Sequence, residues 1–119
     1  MKMILFVLHD STKLAELLAA WKEAGADGAT VLPSTGMGRI HQAGALRDDL
    51  PLMPSLDDFY PPQGELSRTV FTVVGDAAVK RIQAATRGVV GDLEQPDTGL
   101  LVVLPVDQAE GLKKKRGKA

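Results

Sequence analysis

The chain has 119 residues, of which 14 are basic and 15 acidic, and 45% are hydrophobic, enough for one domain with a small core. It contains no cysteine, which excludes a disulfide framework, a thiolate metal site and a cysteine nucleophile. Five of the basic residues fall within 113–119, so the rest of the chain is acidic and no nucleic-acid-binding face is expected.

Lys2–His9 reads as a strand, since Met3-Ile4-Leu5-Phe6-Val7-Leu8 is continuously apolar, as in a central strand covered on both faces. That run is too short for a secretory signal, and no apolar run reaches the ~20 residues of a membrane span, so a cytoplasmic location is expected. Asp10 or Ser11 is placed to cap a helix in which Leu14, Leu17, Leu18 and Trp21 recur at i, i+3, i+4 and i+7. Gly25 is placed to end it in a left-handed conformation. Asp27-Gly28 reads as a turn and Ala29–Ser34 as a second strand, with Pro33 marking a sheet edge.

Residues 36–64 form a long excursion without clear periodicity, holding Pro51, Pro54, Pro61 and Pro62. A loop of that length in a small domain has a job or is disordered. Ser67–Val74 is a strongly β-branched third strand. Gly75-Asp76 leads into a second helix over Ala77–Thr86, with Val79 and Ile82 on its inner side. Gly88–Gly99 is a polar loop, Leu100–Leu104 a fourth strand stopped by Pro105, and Asp107–Leu112 one helical turn before the basic tail.

The order β-α-β-β-α-β gives a ferredoxin-like α+β sandwich over residues 1–112: four antiparallel strands, two helices on one face, and a long loop between strands 2 and 3. Residues 113–119 are a basic tail, read as solvated or as a contact for an anionic surface. The helices cover one face only. The apolar alternates of strands 1 and 3 on the other face call for self-association.

Two segments carry candidate binding residues. Gly36, Met37, Gly38 and Arg39 combine backbone that can approach a ligand closely with a fixed cation; the plainer reading is an ordinary loop start with a solvated arginine. Thr30 faces the same cleft or packs as a β-branched residue. Gly88, Gly91 and Gly99 form an anion-binding nest or a lengthened surface loop. Asp92, Glu94 and Asp97 in that loop oppose phosphate unless Mg²⁺ intervenes, and Lys113 and Lys115 are the candidates to supply the cations the loop lacks. No catalytic residue and no metal site is expected. The chain has two histidines, His9 and His41, and shows no nucleophile elbow, no His-x-x-x-His and no Walker loop.

Three stretches resemble the P-II signal-transduction family. Gly28-Ala29-Thr30-Val31 followed by Gly36-Met37-Gly38-Arg39 is similar to its strand-to-loop segment, where Gly-Phe-Gly-Arg is common. Thr86 through Gly91-Asp92 is similar to its phosphate-facing loop, and Leu101–Val106 to its last strand. The resemblance implies a homotrimer without enzymatic activity. It would bind a small effector, ATP, ADP or AMP, in clefts between subunits, with no required cofactor. It also implies a target protein, such as a transporter or a metabolic enzyme, contacted through the long loop. The departures mark a divergent relative. Leu100 stands where the family has a lysine, Ile40 where it has a glutamine, and Gly111 and Lys113 where it has two arginines. A trimeric scaffold similar to the CutA type, without nucleotide and possibly metal-linked, is the alternative.

Overall fold

The computed structural model describes residues 1–37 and 67–112. The expectations for Gly38, Arg39, the rest of the 36–64 excursion and the tail from Lys113 lie outside the described residues. Four strands, β1 (Lys2–Leu8), β2 (Thr30–Ser34), β3 (Ser67–Val74) and β4 (Gly99–Pro105), form one antiparallel sheet in the order β2-β3-β1-β4. Helix α1 (Leu14–Ala24) joins β1 to β2, and α2 (Val79–Val90) joins β3 to β4. This is the expected ferredoxin-like arrangement, with Pro33 on an edge strand as its missing N–H requires. Among the described residues no helix is long and apolar enough to cross a membrane.

Strand alternation splits the apolar residues into two sets. Ile4, Phe6 and Leu8 of β1 and Val70 and Val74 of β3 are buried, and they pack with Leu17, Trp21 and Ala24 of α1 and Ile82 and Val90 of α2. On the other face the register aligns Met3 with Val73 and Leu104, Leu5 with Phe71 and Val102, and Val7 with Leu100. These residues are half-buried or exposed, and Leu100 is 59% exposed. Helices α1 and α2 therefore cover one face, and among the described residues the second face is apolar with no layer over it.

The helix seam carries a polar relay inside the core. Trp21 Nε1 donates to Thr86 Oγ1 at 2.8 Å, and Thr86 Oγ1 donates to the Ile82 carbonyl at 2.7 Å. Every polar atom of this buried pair is thus engaged, which avoids a desolvation penalty of about 1–3 kcal/mol for an orphaned group. Gly25 ends α1 at φ 121°, and Arg81 Nε donates to the Ala24 carbonyl at 3.0 Å, so a side chain of α2 closes the open end of α1.

Several boundaries differ from the sequence reading. Asp10 caps a 3-10 turn over Ser11–Lys13 before α1 begins, accepting from the Thr12 N–H. A second 3-10 turn, Asp76–Ala78, precedes α2, whose span runs past Thr86 and through Gly88 to Val90. Glycine costs about 1 kcal/mol inside a helix, but Val90 continues the stripe of Ile82 and Thr86 into the core and outweighs it. The turn expected over Asp107–Leu112 is not helical. Its few residues have no apolar stripe to offset helix nucleation, and Gly111 takes φ 90°.

Candidate functional site

The candidate binding residues divide between the two edges of the sheet. Thr30 opens β2, opposite Phe71 of β3. Beyond the far end of β2, Gly36 and Met37 are exposed, Met37 at 77%. On the other edge, Gly99 opens β4 opposite Leu8, and Gly91 closes α2 at φ 89°. Gly88, expected in the loop, lies within α2.

The register fixes how these pieces relate. Ser34 pairs with Ser67, the next residue Arg68 pairs with Leu8, and Leu8 pairs with Gly99. Gly36 and Gly99 therefore sit at the same end of the sheet. They are separated by the full width from β2 to β4, three strand spacings or about 14 Å. One chain does not bring them together. Thr30, six positions back along the chain from Gly36, belongs toward the opposite end.

The loop between α2 and β4 satisfies much of its own backbone. The Asp92 carboxylate accepts the Glu94 N–H at 2.9 Å, the Asp92 carbonyl accepts the Gln95 N–H at 3.0 Å, and Thr98 Oγ1 donates to the Gln95 carbonyl at 2.9 Å. A phosphate seeking the Glu94 N–H has to displace a carboxylate that is already there. Asp92, Glu94 and Asp97 are exposed, so the loop surface is acidic. Gly99 has a packing reason of its own. A Cβ there would lie 2.5 Å from the Val7 carbonyl oxygen and 2.6 Å from the Phe6 ring.

At the other edge the Thr35 side-chain oxygen is buried and has no hydrogen-bond partner. It immediately precedes Gly36. A buried hydroxyl without a partner marks a place where a group from outside the chain's own fold can bond. Among the described residues, no three His, Asp or Glu side chains lie close enough to hold a metal ion.

A cavity of about 550 Å³ lies at the opposite end of the sheet. The α1–β2 connection (Gly25, Asp27, Gly28), the end of β3 through Gly75, and Gly111-Leu112 enclose it. The sequence reading missed it, since Asp27-Gly28 carries only a turn signal and the walls come from segments far apart in the chain. Among the described residues, Thr30 is the one expected binding residue that lines it. No protein-family model matches the chain, and no curated protein matches it.

Proposed function

We propose that the chain is a P-II-like regulatory protein. In this reading it is a homotrimer that binds an adenine nucleotide (ATP, ADP or AMP) in clefts between copies and acts on a target protein through residues 36–64. The observation that carries the reading is the placement of the two glycine-bearing segments at one end of the sheet but on opposite edges. A neighbouring copy that sets its β4 edge beside the first copy's β2 edge brings Gly36-Met37 and Gly91–Gly99 into one cleft. Repeated around a threefold axis, such a head-to-tail contact closes into a ring. The same assembly buries the open apolar face, and the unpartnered Thr35 hydroxyl lies at the cleft.

The nucleotide regulates by binding more tightly to one arrangement of residues 36–64 than to another; equal affinity for both shifts nothing. Sedimentation velocity and calorimetry test the assignment together. The expected results are a trimer at micromolar concentration, saturable heat with at least one adenine nucleotide, and roughly 1–3 kcal/mol of binding lost in Arg39→Ala, as for a charge-assisted bond. A stable monomer that still binds nucleotide would refute the shared cleft.

A second reading, a CutA-like trimeric scaffold without nucleotide, draws on the Gly99 packing and on the Asp92 carboxylate already holding the Glu94 N–H. A trimer that gives no heat with ATP, ADP or AMP selects it.

A further inference from the structure

Residues 113–118 read Lys-Lys-Lys-Arg-Gly-Lys, five cations in six positions. Leu112, directly before them, is a large apolar side chain left 43% exposed. Leu112 lines the same cavity as Val74 and Gly75, which places it at the end of the sheet where Lys2 pairs with Val74 and Pro105. Residues 36–64 leave from the other end, beyond Ser34 and Ser67, about 20 Å away along six residue intervals of β1.

Charge selects an anionic partner for this run. Asp27 shares the cavity lining with Leu112, and Asp107 and Glu110 are exposed shortly before it in the chain. These three carboxylates oppose an anion, but the five cations outnumber them. Outside the run the chain has nine basic and fifteen acidic residues, so its net charge there is −6. A nucleic-acid strand continues past its point of contact and meets that acidic body. A bilayer can be touched at one end of the protein only.

The apolar neighbour favours the bilayer as well. Bases stack on aromatic side chains, and none of the exposed large hydrophobic residues among the described ones is aromatic. An aliphatic side chain beside a basic cluster is instead suited to the boundary between lipid headgroups and acyl chains. We propose that residues 112–118 bind an anionic lipid surface, with Leu112 entering that boundary and the lysines and arginine meeting the headgroup charge. A surface held here faces away from the end of the sheet where residues 36–64 begin.

Cosedimentation of the full chain with vesicles tests this. The probes are vesicles of phosphatidylcholine alone and of phosphatidylcholine with phosphatidylserine at about 30%, the range in which a basic cluster gains from surface potential. Binding is expected to the second kind only, and to fall steeply as salt is raised. Lys114→Gln combined with Arg116→Gln should weaken it about 25-fold, from roughly fivefold per cation. Leu112→Ser should weaken it several-fold while leaving the salt dependence unchanged. Circular dichroism checks that each variant is folded. Neither Lys114 nor Arg116 is placed in the nucleotide cleft, so failure here leaves that reading untouched. Four outcomes overturn the proposal: equal binding to both kinds of vesicle or to neither, unchanged binding in the double variant, unchanged binding in Leu112→Ser, or tighter binding to a single-stranded RNA than to the anionic vesicles. The last would assign the run to nucleic acid.

Discussion

The two faces of the sheet are built from the same strands and nearly the same residue types, yet they differ in what covers them. Ile4, Phe6 and Leu8 are sealed beneath α1 and α2, while Leu5, Val7, Val102 and Leu100 lie on the opposite face, which neither of these helices covers. An apolar strand pattern records that both faces are built for burial. It does not record which face the chain buries itself. The comparison teaches that the residues buried beneath the helices and the apolar residues of the other face are separate sets that alternate along each strand.

The sharpest test sets one charge on each side. Leu17→Asp puts an unpaired carboxylate into the covered core, at a cost of several kcal/mol against a total of only ~5–15 kcal/mol. Loss of soluble folded protein is expected. Val73→Asp, on the open face, should instead give a folded species with native circular dichroism and a reduced sedimentation coefficient. A folded Leu17→Asp protein, or an unfolded Val73→Asp one, would break the distinction between the faces.

A smaller effect separates neighbouring residues of β4. Gly99→Ala drives a methyl against the Val7 carbonyl and the Phe6 ring at φ 142°, and overpacking of this kind costs roughly 1–3 kcal/mol. Leu100→Ser, one residue on and facing outward, should change the stability of the isolated subunit by no more than about 0.5 kcal/mol. Urea melts of the two variants measure the contrast directly. Equal losses would mean that Leu100 is covered within the single subunit.

The smallest effect lies outside both faces, at the start of α1. The Thr12 hydroxyl and N–H both donate to the Asp10 carboxylate, which holds its pKa below the ordinary value of 3.8. A carboxyl whose pKa is lower in the folded state stabilises that state above the unfolded value and loses the contribution as pH falls through the folded one. Asp10→Asn should therefore be less stable than the parent at pH 7 in urea melts, with the gap closing below about pH 4. A gap that stays constant from pH 7 to pH 3 would show that the carboxylate charge plays no part in the cap.

Much of the fold is legible in local pattern because its causes are local. The stripe through Leu17 and Trp21 specifies α1, the left-handed Gly25 ends it, and Pro33 marks the edge strand. The extension of α2 through Gly88 is not legible, because the cause is burial of Val90 against distant residues and not helix propensity. The Trp21–Thr86 relay joins residues 65 positions apart and has no signature in either neighbourhood. The same limit applies to the candidate sites. Gly36, Gly91 and Gly99 stand out one at a time, but their distribution over two edges follows only from strand order. The cavity needs Gly28, Gly75 and Gly111 to converge, and nothing local announces it.

The relay has an optical consequence. Trp21 is the chain's only tryptophan, so all indole emission from the protein comes from the α1–α2 seam. Its ring is 1% exposed, and its N–H is held by a neutral hydroxyl. The emission maximum should therefore lie toward the blue and shift to the red only when the two helices separate. Association through the opposite side of the sheet leaves that environment unchanged. Fluorescence would thus be silent to the joining and parting of copies in the proposed assembly and responsive to unfolding of each one, and a single cuvette could tell the two events apart.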